Sequence, residues 1–264
     1  MRISSSARIV LGAIAGVILA LIYTPLAIVL INSFNKSMNM DWPPPGFTLD
    51  WWQKAFGSNG LMAALGTSVL VALCASLIAL VLGTLLAIAL SRYKFFGRQA
   101  VGLMVILPIA LPGIVTGLAL NNAFRTVLGL QLSMATVIIA HATFCIVTVY
   151  NNVLARLSRT NRNLEDASAD LGAGVFTTFR LVTLPQIGSA LLAGGLLAFA
   201  LSFDEIIVTT FTAGAGVETL PIWIMNNMFR PGKAPVVDVV AVTTVLISVV
   251  PLYFAQRLTR DESK

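Results

Sequence analysis

The chain has 264 residues, of which 57% are hydrophobic and 11% are charged, and its mean hydropathy is +0.89. These values exclude a water-soluble globule of this size and indicate an integral membrane protein. The net charge of +6 would suit a nucleic-acid partner, but the distribution of the charges along the chain points elsewhere.

Apolar runs long enough to cross a bilayer recur along the chain, without the alternating pattern of barrel strands. Because hydrocarbon tolerates only structures that satisfy their own backbone polar groups, these runs are predicted to be helices. The predicted spans are residues 8–31, 63–90, 100–122, 132–155, 187–211 and 236–257. The sequence therefore predicts an all-α membrane protein, with residues 1–264 forming one transmembrane domain of six helices.

Basic residues are unevenly distributed between the two sides that six spans define. With both termini placed in the cytoplasm, twelve of the 17 lysines and arginines fall on inner segments. The outer loops hold Lys36, Lys54, Arg125, Arg230 and Lys233. Since basic residues concentrate on the cytoplasmic side of membrane proteins, the positive charge orients the chain and implies no nucleic-acid partner.

The first span follows Arg2 and Arg8 and so resembles the start of a secretory signal. It continues through Pro25 to Ile31 without a small-residue cleavage site, which favours a retained anchor. The outer loop that follows, residues 32–62, contains WPPPGFTLDWW. Its prolines disfavour helix and its tryptophans suit the membrane interface, so it either meets an external partner or rests on the headgroups.

The third span contains LPIALPG, which places Pro108 and Pro112 one turn apart, with Gly113 next. We expect the helix to bend or break there, because proline removes a backbone donor and clashes with the preceding turn. Broken helices line solute pathways in transporters, but prolines also produce simple packing kinks. Both interpretations stay open from the sequence.

A short acidic stretch, LEDASADLGAGVFTTFRLVTLPQ at 164–186, stands between two apolar runs. Asn163 is a suitable N-cap, Glu165 and Asp166 would lie in the first turn, and Gly172 would end the helix. A two-turn helix of this kind is unstable alone in water, so we expect another protein to receive it. A second helix is predicted after Ala173 at a new angle, and Pro185 would then open the fifth span.

The same stretch resembles the cytoplasmic loop of ABC importer permeases, whose pattern is Glu-Ala-Ala, three residues, Gly, nine residues, Ile-x-Leu-Pro. Here the matching letters are Asp-Ala-Ser at 166–168, Gly172 and Val-Thr-Leu-Pro at 182–185. In that family the loop, here about residues 156–186, forms the coupling helix that enters a cleft of the ATPase subunit. The resemblance implies ATPase docking by Glu165, Asp166, Ala167, Ser168, Gly172, Ala173 and Pro185.

The resemblance extends over nearly the whole chain, to the second permease subunit of spermidine/putrescine importers. It is carried by YTPLAIVLINSFN, SRYKFFGR, AHATFC, EDASADLGA, LAFALSFDEIIVTTF and ETLPIWI. It implies a type I ABC importer permease fold in a bacterial inner membrane, a homologous permease partner, two ATPase subunits and an external binding protein. The chain has no Gly-x4-Gly-Lys-Ser/Thr phosphate loop, so we expect a partner to hydrolyse ATP. No catalytic residue, metal or cofactor is predicted for this chain.

Polar residues inside predicted spans are the candidates for the solute path. Asp204 and Glu205 lie about 25 Å along the fifth span, in the outer part of the bilayer. An intramembrane carboxylate is costly, and an acidic pair would attract a cationic solute. The alternative is a structural ion pair or a solvated helix end.

Three further polar residues are candidates for the same path. His141 lies near the middle of the fourth span, where no second ligand suggests a metal, and a hydrogen bond to a neighbouring helix is the alternative. Asn121 and Asn122 end the third span and either line the cavity or cap the helix.

One position departs from the polyamine pattern, in which an acidic residue tends to follow the proline of the third span. Gly113 stands there instead, so a carboxylate for a second ammonium group is missing, and other solutes such as amino-acid derivatives are admitted. A channel or secondary transporter would have no use for the loop at 166–185. An intramembrane enzyme would need a catalytic motif that the sequence lacks.

Overall fold

The computed structural model describes residues 5–261, with side chains described for residues 7–249. The helices in chain order are α1 (Ser5–Asn32), α2 (Asp50–Phe56), α3 (Asn59–Arg92), α4 (Arg98–Ala110), α5 (Gly113–Asn122), α6 (Met134–Leu157), α7 (Asn163–Asp170), α8 (Val175–Thr178), α9 (Leu184–Phe203), α10 (Ile207–Thr212), α11 (Leu220–Asn227) and α12 (Ala234–Asp261). Two π-helical segments, Ala123–Val127 and Phe179–Thr183, continue α5 and α8. The predicted all-α class is confirmed.

Four of these helical segments are long and apolar enough to cross a membrane: Ala7–Asn32, Asn59–Arg92, Met134–Leu157 and Val175–Phe203. A fifth is obtained if α4 and the helix after it count as one span. The last predicted span, 236–257, falls in α12, where the apolar part within the described residues is the shorter segment Ala234–Val249. The described residues therefore give four or five such spans, and the predicted count of six is not reproduced.

The third predicted span is broken, as its prolines predict. The segments Arg98–Ala110 and Gly113–Val127 meet at an angle of 110°. Leu111 has an extended backbone (φ −84°, ψ 144°), since a residue that precedes proline is disfavoured in the helical region. Pro112 occupies the N-cap position of the following helix, with an extended ψ of 136° and no side-chain capping bond.

The chain divides into two compact units, and the first comprises the residues up to Met62 together with Trp223–Ile247. In this unit the buried Asn35 organises the loop after α1. Its Nδ2 donates to the Asp41 carbonyl oxygen at 3.0 Å, and its own carbonyl oxygen accepts the Trp51 indole N–H at 2.8 Å. Trp51 is buried, whereas Trp42 is exposed, and the interfacial placement of these tryptophans stays a prediction.

The second unit comprises Ala63–Ile222 and the chain from Ser248 onward. Its core is centred on α6, which supplies many of the buried residues and packs extensively on α9. Small residues are usual where membrane helices pack closely, and Gly194 lies at this contact. A Cβ added at Gly194 of α9 would lie 3.4 Å from Val149 Cα. The prediction of one domain over residues 1–264 stays a prediction.

We expect Gly83→Ala to destabilise the second unit. A Cβ at Gly83 would lie 2.9 Å from both the Ile146 carbonyl oxygen and Val149 Cβ, so α3 and α6 would have to separate. Overpacking of this kind costs about 1–3 kcal/mol. Gly66→Ala is the matched control in the same helix, because nothing lies within 4 Å of its added Cβ. Thermal unfolding in detergent should show a loss for Gly83→Ala alone, and equal midpoints would contradict this packing.

Candidate functional site

The short helix α7 forms where the acidic stretch predicts it. It begins at Asn163, and the Asn161 side-chain oxygen accepts the Asn163 backbone N–H at 3.1 Å. The residue at the N-cap is Arg162, so the prediction that Asn163 caps the helix is wrong by one position. Glu165 and Asp166 lie in the first turn, where carboxylates are favoured by the helix dipole.

The end of α7 is fixed by a hydrogen-bonded glycine turn. Gly172 has φ +81°, a left-handed conformation that glycine adopts without strain. Its N–H donates to the Ala169 carbonyl at 2.9 Å, and the Ala173 N–H donates to the Ser168 carbonyl at 3.1 Å. This pair of bonds is the Schellman motif, which ends a helix and reverses its direction. The predicted stop at Gly172 is confirmed.

Side chains on one side of α7 bond to other parts of the chain. Glu165 Oε1 accepts from Arg92 Nη2 at 2.9 Å and from Thr183 Oγ1 at 3.1 Å. The hydroxyls of Ser168 and Thr178 lie 3.0 Å apart, which joins α7 to α8. Glu165 and Ser168 therefore face the rest of the chain.

The opposite side of α7 and the turn after it are exposed. Asp166, Ala167 and Gly172 are exposed, and Leu171 has 90% of its surface accessible. The apolar side chains of Val175 and Phe176 that follow are also exposed. Of the remaining residues assigned to ATPase docking, Ala173 is half-buried and Pro185 is exposed. An exposed surface that combines carboxylates with large apolar side chains is suited to a protein partner.

The fifth predicted span differs from the observed helix at both ends. The helical segment starts at Val175 and continues through the π-helical turn and Pro185 to Phe203. The expected continuation to residue 211 is wrong, because the helix ends at Phe203 and α10 begins only at Ile207. Pro185 lies in the first turn of α9, as predicted, but α9 continues without a break from the helical segment that begins at Val175.

The breaks in the third and fifth spans lie side by side. A Cβ added at Gly113, where α5 begins, would lie 3.5 Å from Ile207 Cβ, where α10 begins. Irregular backbone at membrane depth is tolerated where it is buried in protein or lines a water-filled cavity. The paired breaks are therefore the candidate solute site of this unit.

The two carboxylates at the second break have different environments. Glu205 is half-buried, and its Oε1 accepts the Val208 backbone N–H at 2.9 Å, which caps the start of α10. Asp204, the residue that ends α9, is exposed, and its side chain makes no hydrogen bond or ion pair with other described residues. Of the two carboxylates at this break, Asp204 is thus the exposed and unbonded one.

His141 joins α6 to both sides of the same break. It is fully buried, with Nδ1 2.8 Å from Ser202 Oγ and Nε2 2.8 Å from Thr209 Oγ1. The Thr209 hydroxyl donates to the Glu205 carbonyl at 2.7 Å, so it must accept from Nε2–H. In the neutral imidazole, Nδ1 then accepts from the Ser202 hydroxyl. The predicted bond to a neighbouring helix is present, and both ring nitrogens are occupied.

The two asparagines at the end of α5 are placed differently. Asn121 is half-buried, and its Nδ2 donates to the Phe211 carbonyl oxygen on α10. Asn122 is exposed. Asn121 therefore links the two helices that start at the breaks, and the assignment of both residues to the solute path stays a prediction.

Four residues that bond to the predicted site residues Glu165 and His141 were not predicted from the sequence: Arg92, Thr183, Ser202 and Thr209. All four lie within segments that carry the family resemblance, but the sequence assigns none of them an individual role. Each bonds to a partner distant in sequence, and no spacing rule reveals such a partner. Arg92 and Glu165, for example, are 73 positions apart.

Apolar helices and adjacent broken spans are typical of membrane transport proteins. Comparison with protein families gives the same class in more detail. Residues 79–263 match the family described as binding-protein-dependent transport system inner membrane component. The chain belongs to this family of transporter permeases.

Named relatives agree with the family. The spermidine/putrescine transport system permease protein PotC of Haemophilus influenzae is 34% identical, over 94% of this chain and 95% of the relative. The putrescine transport system permease protein PotI of Escherichia coli strain K12 is 33% identical, over 83% and 80%. The chain is thus homologous to the permease subunits of polyamine importers and, like them, a transport subunit.

A solved structure supports the type I importer permease fold. It is a chain of the bacterial alginate ABC transporter in complex with an alginate pentasaccharide-bound periplasmic protein. The TM-score is 0.73 at 15% identity, with 97% of this chain and 95% of that chain covered.

Proposed function

We propose that this chain is a permease subunit of an ATP-driven importer for polyamines such as spermidine and putrescine. The exposed, unbonded carboxylate of Asp204 at the paired helix breaks carries the proposal, together with the relatives named above. An ammonium group needs a carboxylate acceptor when it leaves water, and a charge-assisted hydrogen bond supplies one.

The assembly that we propose contains a homologous permease, two ATPase subunits and an external binding protein. Both termini and α7 lie in the cytoplasm in this arrangement, which the excess of basic residues on inner segments supports. The exposed side of α7, with Asp166, Ala167 and Leu171, docks in the ATPase subunit. No cofactor is assigned to this chain.

A continuous helical segment connects the proposed docking surface with the proposed solute site. Thr178 and Thr183 bond to α7, and the segment Val175–Phe203 to which they belong ends next to Asp204. With a rise of about 1.5 Å per residue, 29 residues span about 40 Å. Movement of α7 with the ATPase would therefore displace the helix end at the solute site. Alternating access requires that each conformation be favoured by a different nucleotide state.

A second candidate solute is a zwitterionic amino-acid derivative. It is favoured by Gly113, which lies against Ile207 and adds no carboxylate at the first break, while Glu205 at the second break accepts the Val208 N–H. A solute with one ammonium group would need only Asp204. This alternative changes the solute and leaves the transport mechanism as proposed.

Reconstitution of the complete assembly in proteoliposomes tests the proposal. We expect ATP-dependent uptake of labelled spermidine, displaced by putrescine and not by an excess of a zwitterionic amino-acid derivative. Displacement by the zwitterion alone would establish the second solute class. Uptake that persists without ATP, or failure of the chain to co-purify with an ATPase, would refute the importer assignment.

A further inference from the structure

A single carboxylate joins three helical elements at one end of the second unit. Glu165 in the first turn of α7 accepts from Arg92 at the last position of α3 and from Thr183 in the π-helical segment. The two donors are 2.9 Å and 3.1 Å from the same oxygen, Oε1. The first turn of α7 is therefore bonded through this oxygen to α3 and to the helical segment Val175–Phe203.

The ion pair is largely removed from solvent. The Arg92 and Glu165 side chains are 14% and 17% accessible. Charge pairs at such sites are screened less by water and salt than exposed pairs are. The Arg92 Nε is also buried and has no hydrogen-bond partner, so the Nη2 contact to Glu165 determines how this guanidinium is held.

A second ion pair on α7 shows the contrast. Arg162 and Asp166 approach to 3.7 Å within one helix turn, and both side chains are more than 60% accessible. Exposed pairs of this geometry contribute little, and this one connects α7 only to itself. The Arg92 pair, in contrast, connects α7 to a helix 73 residues away.

We propose that Arg92 is a positioning residue for energy coupling, which fixes α7 to the end of α3. The inference rests on the proposed function, in which α7 receives the movement of the ATPase. Through Glu165 and Thr183 alone, α7 would move only the Val175–Phe203 helix. Through Arg92 it also moves α3, which packs against α6 at Gly83. Both α3 and the Val175–Phe203 helix would then move together with α7.

Arg92→Gln in the reconstituted assembly tests the inference. We expect normal co-purification with the ATPase and continued ATP hydrolysis, with solute transported per ATP hydrolysed reduced about fivefold or more. Lys94→Gln is the matched control, because Lys94 is an exposed cation two residues away with no bonded partner among the described residues. An unchanged transport-to-hydrolysis ratio in Arg92→Gln would overturn the inference.

Further variants separate coupling from a folding defect. Because Arg92 acts through Glu165, the double variant Arg92→Gln with Glu165→Gln should lose no more coupling than either single variant. The exchange Arg92→Glu with Glu165→Arg should restore part of the ratio. Additive losses in the double variant would also overturn the inference. If Arg92→Gln does not assemble, Arg92→Lys replaces it in the test, because lysine keeps the charge. Its transport-to-hydrolysis ratio should lie between those of the wild type and Glu165→Gln. A ratio equal to that of Glu165→Gln would count against the inference.

A docking variant separates this inference from the function on which it depends. Ala167→Trp places a large side chain on the exposed face of α7 and should abolish ATPase co-purification. If it does not, the proposed docking surface is wrong. If it does, and Arg92→Gln still behaves like Lys94→Gln, only the positioning role of Arg92 is refuted.

Discussion

Replacement of Gly172 with valine is expected to reduce solute-stimulated ATP hydrolysis by the assembled transporter about tenfold or more. Gly172 has φ +81° and ends α7 through a Schellman motif. An L-residue in the left-handed conformation costs about 1–2 kcal/mol, and a β-branched residue costs more. The turn should open, so that α7 no longer presents a fixed surface to the ATPase. Hydrolysis by the reconstituted assembly, with and without loaded binding protein, measures the loss.

Gly129→Val is the matched control for this variant. Gly129 also has positive φ, +63°, and no other atom lies within 4 Å of a Cβ added at either glycine. Both variants therefore introduce the same kind of backbone strain, but only Gly172 follows the docking helix. Equal losses in the two variants would show that the effect is a general destabilisation and would remove the argument for α7.

The second large effect is expected from Asp204→Asn, which should lower uptake of spermidine about tenfold or more. The variant permease should still assemble with its partner subunits as the wild type does. The substitution removes the charge of an exposed side chain at the paired breaks and changes its volume little. A hydrogen bond to a charged group contributes about 1.5–3 kcal/mol, and each 1.4 kcal/mol corresponds to a factor of ten. Initial uptake rates in proteoliposomes, normalised to permease content, provide the measurement.

Glu205→Gln separates solute binding from helix capping at the same break. Glutamine keeps an oxygen that can accept the Val208 N–H, so α10 should remain capped while one negative charge is removed. We expect a smaller loss of uptake than in Asp204→Asn. The same uptake in Asp204→Asn as in the wild type would exclude Asp204 from the solute path.

Several features of the fold follow from local sequence. Long apolar runs predict membrane helices because a bilayer requires about 20 such residues. The break near Pro112 follows from the absence of its backbone donor and from the restriction that it places on Leu111. The stop of α7 at Gly172 follows from the backbone conformation that glycine alone adopts freely. These effects act within a few residues, so a sequence displays them directly.

The end of α9 at Phe203 could not be predicted in this way. Residues 187–211 are apolar enough to continue as one helix, and only the contacts around the break explain why they do not. His141 bonds to Ser202 before the break and to Thr209 after it. A hydrophobicity pattern contains no information about such contacts, because they depend on how helices pack.

The sequence by itself determined that this protein crosses a membrane, and it located the short helix α7 and the acidic pair within the chain. The tertiary structure decided how those residues are used: Glu165 faces Arg92, Asp166 faces outward, Glu205 caps a helix and Asp204 stays unbonded among the described residues. The physical reason is the separation along the chain over which each interaction acts. Hydropathy, capping and glycine turns act along a few consecutive residues, whereas hydrogen bonds and ion pairs between distant residues exist only once the helices have packed.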